Sequence, residues 1–315
     1  MRKTNFNEKG NFYKGNCHCH TTNSDGRLEP NIIIPAYKDK GYNFLMVTDH
    51  NLYSNYNEYN EENFITIQGF EGNVNNFHFI FFPTTANEPF GHLEAIPSVS
   101  NEEIEAHGTH KSVNEYVKNI CSRGYAAMIN HPYWSAIEYD DIMKLENIFA
   151  VEVYNYGCEI GEDTSESITH WDACLKKGKK LWAMATDDNH NIHPLYSKNS
   201  DSFGGWVMVK AKSLNEKDIV EAMLNGSFYA SQGPEIYDFY VEDGYCYLEC
   251  SEVARVNLHG YKQGDFLNTF YWEDCSGKKG IVKCKFQLKG NENYIKAQIY
   301  DVCSKKAYTN PIYLD

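Results

Sequence analysis

Residues 42–51 read YNFLMVTDHN, a short apolar run that ends abruptly in Asp49 and His50. The run is strand-sized and apolar on both sides, as a strand buried in a parallel sheet is. The same arrangement recurs along the first two thirds of the chain. Phe64–Phe70 (FITIQGF) precedes Glu71, Tyr125–Ile129 precedes Asn130-His131-Pro132, and Leu181–Thr186 precedes Asp187-Asp188-Asn189-His190. Phe77–Phe82 (FHFIFF, carrying His78) and Phe149–Tyr154 also read as buried strands. Helix-length segments lie between them: Pro30 to a stop at Gly41, His110–Arg123 before Gly124, and Thr164–Lys177 before Gly178. Strand, helix, strand at this rhythm predicts an α/β fold, a parallel sheet or barrel with helices outside.

Two segments depart from the rhythm. About 84–109 is rich in Asn, Glu, Pro and Gly and reads as an irregular insertion covering one end of the barrel. After about Gly233 the signals become those of strands, with a hairpin in Ile236–Cys250 turning at Asp243-Gly244 and further strands at Val282–Leu288 and Tyr294–Val302. The expected division is 1–232 for the barrel and 233–315 for a small all-β domain. A chain of 315 residues is about twice the ~150-residue prior for one domain, which agrees.

Charge narrows the partners. Lys plus Arg number 29 against 43 Asp plus Glu, a formal net charge of −14, which repels phosphate backbones and anionic lipid. Membrane binding and long nucleic acid are therefore not expected, while short oligonucleotides stay open. A small anionic substrate held through cations remains compatible, because bound cations invert the local field. No apolar run approaches the ~18 residues of a membrane span, and the start MRKTNFNEKG lacks the apolar stretch of a signal peptide. The ten cysteines show no paired C-x-x-C spacing, so reduced thiols in a cytoplasmic protein are the expectation.

The chemistry lies in where His, Asp and Glu fall relative to the strands. His18 and His20 close the first strand candidate. Residues separated by one position project to the same side of an extended chain, so both imidazoles can grip one cation while Cys17 and Cys19 face the other way as packing residues. Asp25-Gly26 follows in a turn near enough to return a carboxylate to the same mouth. In parallel α/β folds the C-terminal strand ends share one face, and sites form there. Taken singly, each residue has an ordinary structural role open to it: an Asp after a strand commonly caps the next helix. Taken together, six of the twelve histidines and three carboxylates fall at such positions. The set is His18, His20, Asp25, His50, Glu71, His78, His131, Asp188 and His190.

Imidazole mixed with carboxylate suits zinc, manganese or iron and fits magnesium or calcium alone poorly. Nine candidate donors exceed what one tetrahedral ion needs, so two to three divalent transition-metal ions are expected. Multinuclear sites of this kind produce a bridging hydroxide at neutral pH and clamp attacking and leaving oxygens, which is hydrolytic machinery.

The stretches NCHCHTTNSDGRLEP, FLMVTDHN, GFEGN, NHP, VEVYN and TDDNH resemble, in order, those of the PHP (polymerase and histidinol phosphatase) superfamily of metallohydrolases. The resemblance covers roughly residues 10–232. SFYASQGPEI, the following strands and a terminal NPIYL look like the subgroup with a C-terminal β domain. It implies a distorted (β/α)7 TIM-like barrel with up to three metal ions. His18, His20, Glu71 and Asp188 would hold the first. Glu71 would bridge to a second ion shared with His78 and His131, and Asp25, His50 and His190 would hold the third. Asp49 and Glu152 look like partners that orient these ligands. Arg27, just past the Asp25 turn, is the candidate to pair with a substrate oxyanion, and the proton for the leaving group is expected from a metal-bound water or a loop histidine such as His193. The expected activity is hydrolysis of a small phosphate monoester, a nucleotide or a sugar phosphate. The alternatives are hydrolysis of a carboxyl ester, carbamate or amide by the same metals, and a non-catalytic metal-stabilised binding protein.

Overall fold

The computed structural model describes residues 1–7, 9–74, 76–84, 109–262, 265–272 and 280–314, so the insertion expected at about 84–109 falls almost wholly outside them. Chain order runs β1 (Asn11–Asn16), α1 (Pro30–Asp39), β2 (Phe44–Val47), β3 (Ile65–Gln68), β4 (Phe70–Val74) and β5 (Phe77–Pro83). It continues with α2 (Thr109–Cys121), β6 (Tyr125–Ile129), α3 (Tyr139–Lys144), β7 (Ile148–Asn155), α4 (Tyr156–Glu162), α5 (Ile168–Lys176) and β8 (Trp182–Thr186). Then come β9 (Trp206–Ala211), α6 (Glu216–Leu224) and β10 (Phe228–Ser231). The helices α1, α2 and α5 each stop within three residues of the glycine expected to end them. None of the described helices is long and apolar enough to cross a membrane.

The α/β class holds, with β1, β2 and β3 parallel neighbours and β6, β7 and β8 a second parallel set. The closed (β/α)7 barrel does not appear as one continuous sheet. The two parallel sets lie in different sheets, linked at their C-terminal ends by isolated bridges, Cys19 to Asn189 and His50 to Glu71. The reason is visible in residues 64–70, which the sequence presents as one strand. The chain breaks at Gly69, leaving β3 beside β2 and sending β4 to pair with β5. A Cβ at Gly69 would stand 2.9 Å from the Phe81 carbonyl oxygen, so the crossing requires glycine. β5 runs antiparallel to both β4 and β6, a second departure from strict alternation.

Packing explains why these elements stay put. Phe70, Phe79 and Phe81 are fully buried, and the Phe70 and Phe81 rings stack at 5.1 Å. The α1 face bearing Ile33, Ile34, Ala36 and Tyr37 is buried, as are Trp171, Cys174 and Leu175 of α5. Cys17 and Cys19 are buried packing residues, and all nine cysteines among the described residues are free thiols.

The C-terminal segment is built of β11 (Ile236–Glu242), β12 (Tyr245–Val253), β13 (Arg255–Lys262), β14 (Asp265–Trp272), β15 (Ile281–Gln287), β16 (Tyr294–Tyr300), β17 (Lys306–Thr309) and β18 (Ile312–Tyr313). The hairpin turns at Asp243 and Gly244, both at positive φ (49° and 79°), as the Asp-Gly pair demands. Three of its strands, β11-β12-β15, form a sheet of their own, and the others join the first part of the chain. β17 pairs with β10, so β14-β13-β16-β17 extends the sheet that contains β10, β9, β1, β2 and β3. Two ion pairs reinforce the join: Lys296 Nζ lies 2.5 Å from Asp172 of α5, and Lys306 Nζ lies 2.6 Å from Glu166.

Phe81→Ala is expected to cost about 3–5 kcal/mol, the range for truncating a buried aromatic. The denaturant midpoint should fall clearly, because the residue packs the hairpin that carries Glu71 and His78.

Candidate metal centre

Each donor reaches the site by its own local route. His18 and His20 sit just past β1, His50 past β2, His131 past β6, and Asp188 and His190 past β8. Glu71 lies within β4 rather than at a strand end, and the β4–β5 pairing, with Asn73 opposite His78, brings His78 back beside it. Asp25 is delivered by a tight turn in which the Gly26 N–H donates to the Thr21 carbonyl at 3.0 Å. A Cβ at Gly26 would lie 2.7 Å from the His20 carbonyl carbon and oxygen, so only glycine lets the turn close.

The nine residues gather into three adjoining groups: His18, His20, Glu71 and Asp188; Glu71, His78 and His131; and His20, Asp25, His50 and His190. Within each, the donor atoms lie within 4.8 Å of one another. In the first group, His18 Nε2 and His20 Nε2 are 3.1 Å apart. Asp188 Oδ1 is 3.0 Å from each, and Glu71 Oε2 is 3.4 and 3.3 Å from them. Bonds of about 2.0–2.1 Å to a tetrahedral ion give donor separations of roughly 3.3 Å, so these spacings fit a cation between them. Asp188 Oδ1 is also a buried oxygen with no hydrogen-bond donor aimed at it. A buried oxygen in that state asks for a cation or a proton.

Glu71 serves two groups at once. Its Oε2 faces His18 and His20, with His50 Nδ1 at 3.1 Å. Its Oε1 faces His78 Nδ1 at 3.2 Å and His131 Nε2 at 3.4 Å. The third group is the open one: Asp25 Oδ2 lies 3.5 Å from His50 Nε2 and 3.4 Å from His190 Nε2, with the Asp25 side chain 53% exposed against 1% for Glu71.

Neighbouring groups fix which ring nitrogen points inward. His18 Nδ1 lies 3.0 Å from Glu152 Oε1, and a carboxylate only accepts, so Nδ1 carries a hydrogen and Nε2 is the nitrogen turned to the site, free to bind a cation once its own proton has left. His190 Nδ1 likewise donates to the Asp188 carbonyl at 3.0 Å. Glu152 also accepts from the His131 N–H at 2.7 Å and the Asn155 amide at 2.9 Å, so one carboxylate orients two donors. Asp49 acts differently. It takes the Thr21 N–H and hydroxyl, both at 2.8 Å, and the Ser24 hydroxyl at 2.7 Å, and so holds the turn that delivers Asp25. Of the adjacent Asp187 and Asp188, only Asp188 faces the histidines. Asp187 accepts from Tyr37 at 2.6 Å and from the N–H groups of Phe203, Gly204 and Gly205 at 2.8 Å each.

Arg27 and His193 stand at the rim. The Arg27 N–H donates to the His190 carbonyl at 2.8 Å while its side chain is exposed. His193 is exposed and lines a cavity of about 360 Å3 beside Asp188 and His190. Sequence reasoning missed Asn130, whose amide donates to Glu71 Oε1 at 2.7 Å, and Trp134, whose ring stands 5.0 Å from that of His131. The signal for both was their place in the residues around NHP at the end of β6.

Electrostatics follow from the crowding. Burial alone would lower the His18 and His20 imidazoles. The carboxylates of Asp188 and Glu71 outweigh it, holding His18 well above its ordinary range and His20 at about 9. Burial alone would raise Glu71 and Asp188, and the surrounding imidazoles, His18 foremost, hold both well below the usual carboxylate range. Without cations the cluster therefore keeps protons on its histidines. This stabilises the ion-free fold below about pH 6.5 and is lost as pH rises through the raised values.

Divalent cations must displace those protons. Titration calorimetry with zinc or manganese at pH 7.5, in buffers of different ionisation enthalpy, should show proton release, and the rise in Tm on metal loading should be larger at pH 8.5 than at pH 6. Glu152→Gln should weaken metal affinity by about 10–100-fold. Glu71→Gln should lower the retained metal per chain more than Asp25→Asn does, as elemental analysis would read.

No protein-family model matches the chain, and no curated protein matches it. Solved structures do. A two-domain protein of Bacteroides vulgatus, named for a predicted PHP-like metal-dependent phosphoesterase, superposes with a TM-score of 0.53 at 15% identity, covering 94% of this chain and 92% of that one. A provisionally named metal-dependent phosphoesterase of Bifidobacterium adolescentis aligns at a TM-score of 0.38 and 12% identity, over 59% of this chain and 91% of that one. The chain shares the fold of the Bacteroides protein over nearly its whole length, and it carries the histidine and carboxylate cluster that its sequence motifs implied.

Proposed function

We propose that the protein is a metal-dependent phosphoesterase that hydrolyses a small phosphate monoester, with residues 1–232 carrying the reaction in a distorted (β/α)7 arrangement and 233–315 forming a β-rich second part. The observation that carries the reading is the sharing of Glu71 and His20 between groups, which makes three donor groups contiguous beside an open cavity. The activity class is the one for which the Bacteroides neighbour is named. Two to three zinc, manganese or iron ions suit the mixed imidazole and carboxylate donors. Such ions, when bound, activate water and neutralise charge on the phosphoryl oxygens.

The chain's own residues supply the rest. His18, His20 and Asp188 form the buried floor, Glu71 joins it to His78 and His131, and Asp25, His50 and His190 form the outer, solvent-facing group. Arg27 is tethered through its backbone to His190, so its guanidinium can swing over that outer group and pair with a phosphoryl oxygen. His193, on the cavity wall, is placed to give a proton to the departing alkoxide. The acidic surface favours a small substrate over a long polyanion.

Metal-loaded enzyme should turn over nucleotide or sugar phosphates and leave aryl esters and carbamates nearly untouched, and His18→Ala should abolish turnover. Activity on the esters alone would transfer the reading to a carboxyl ester, carbamate or amide hydrolase. Absence of any turnover in a fully loaded protein would leave a metal-stabilised binding protein. Arg27→Ala should raise KM roughly tenfold, the scale of one charge-assisted hydrogen bond. His193→Gln should lower kcat for alkyl phosphates more than for p-nitrophenyl phosphate, whose leaving group departs without a proton.

A further inference from the structure

His190 lies beyond Thr186, the last residue of β8, where the strand ladder no longer holds the backbone. Two contacts fix it instead. Its C=O accepts the Arg27 N–H at 2.8 Å, and its own N–H donates to Asp201 Oδ2 at 2.7 Å. The next N–H, that of Asn191, turns onto the same carboxylate at 2.9 Å, and the Asn191 side-chain amide reaches the other oxygen at 3.1 Å. Among the described residues, every hydrogen bond that Asp201 accepts comes from His190 and Asn191. Successive N–H groups converging on one anion form a nest, and Asn191 takes the left-handed φ of 54° at this point. Asn191 is buried and is itself anchored, donating to the Ser202 hydroxyl at 2.7 Å and accepting from the Asn189 amide at 3.0 Å. The far arm of the 190–201 loop thus closes on the near arm at the residue that carries a donor.

Asp201 belongs to none of the three donor groups. We propose that it is a positioning residue for the outermost cation, holding the His190 backbone so that the imidazole shares an ion with Asp25 and His50, and so setting the affinity of that ion without binding it. This role rests on the metal-dependent reading above and deepens it. The ring of His190 is already oriented from within the cluster: Nδ1 donates to the Asp188 carbonyl at 3.0 Å, and the ring stacks on that of His20 at 4.3 Å. What is left to fix is the backbone from which the ring hangs, and Asp201 fixes it, leaving Nε2 3.4 Å from Asp25 Oδ2. A carboxylate holds such amides more firmly than water does, because the hydrogen bonds are charge-assisted. The buried donors have no such dependence. Glu71 and His78 are held by the β4–β5 pairing, and His18 by Glu152.

The test reads zinc rather than turnover. Full-length wild type, Asp201→Asn and Asp201→Ala are equilibrated with zinc buffered at graded free concentrations, and zinc per chain is measured by elemental analysis. Asp201→Ala should keep the tightly held ions as wild type does and bind the weakest one about 10–100-fold less tightly, the cost of removing a group that orients a ligand. Asp201→Asn, which keeps one acceptor oxygen, should fall between the two. Coupling separates positioning from a general effect on the fold. In a His190→Ala background the weakest ion has already lost its imidazole, so adding Asp201→Ala should change its affinity no further. Losses that multiply in the double variant would overturn the proposal, as would unchanged zinc binding by Asp201→Ala. A parallel loss of all the ions, with a lowered Tm of the ion-free protein, would overturn it too, by showing damage to the whole fold. The two readings fail separately. A wild type that loads its ions and hydrolyses no phosphate monoester sinks the phosphoesterase reading alone, whereas one that is active with only the buried ions bound sinks the role of Asp201 alone.

Discussion

Six imidazoles and three carboxylates meet in a space so small that their facing lone pairs and negative charges repel unless a positive charge lies between them. Glu71 lies against five of those imidazoles: His18, His20, His50, His78 and His131. Something positive must sit among them. In the absence of metal the only source is protons, and that is why His18 and His20 are held so far above the range of a free imidazole. Every supporting contact serves the same constraint. Glu152 turns His18 inward, Asn130 steadies Glu71, and Asp49 closes the turn that brings Asp25 to the rim. Removing positive charge from this cluster leaves buried carboxylates unpaired, which is among the more destabilising situations a fold can face.

The scaffold pays for this arrangement with strain at the donors themselves. His131 and Asp188 both adopt positive φ, 25° and 51°, a region that residues with a Cβ enter rarely. Two separate sheets contribute the strand ends, and they touch through single bridges at the very positions that bear His50 and Glu71, and Cys19 and Asn189. The donor cluster is thus the seam where the two sheets come together. Cations placed there would act as rivets across the seam as well as chemistry.

Much of this was legible in the sequence, because the signal was one of placement. An apolar strand followed by a polar donor points to the C-terminal rim of a parallel fold whatever its neighbours are, and His18, His50, His131 and His190 could be read that way. His78 was harder, since its nearness to Glu71 depends on an antiparallel pairing that period-two patterning does not specify. The break at Gly69 was hidden for the same reason: FITIQGF is equally apolar on either side of it, and only the approach of the Phe81 carbonyl demands glycine. Asp187 and Asp188 were indistinguishable by type. Their carboxylates are separated by backbone direction, since Asp187 turns to Tyr37 and the amides of 203–205 while positive φ turns Asp188 to the histidines. Asn130 and Trp134 carry no pattern of their own and became visible only with their neighbours in place.

The hydrogen bonds between β10 and β17 reach further than the site. They make the last strands of the chain a continuation of the sheet that starts at β3, with Tyr229 to Ser231 laddered against Thr309 to Ala307. Cutting the chain after residue 232 would strip that partner away and expose a row of unpaired amides and carbonyls along an apolar strand, Phe228 to Ser231. A bare margin of that kind recruits other chains and drives aggregation. The C-terminal part therefore acts as a permanent selvedge, keeping the half that bears the donor cluster from fraying into its neighbours.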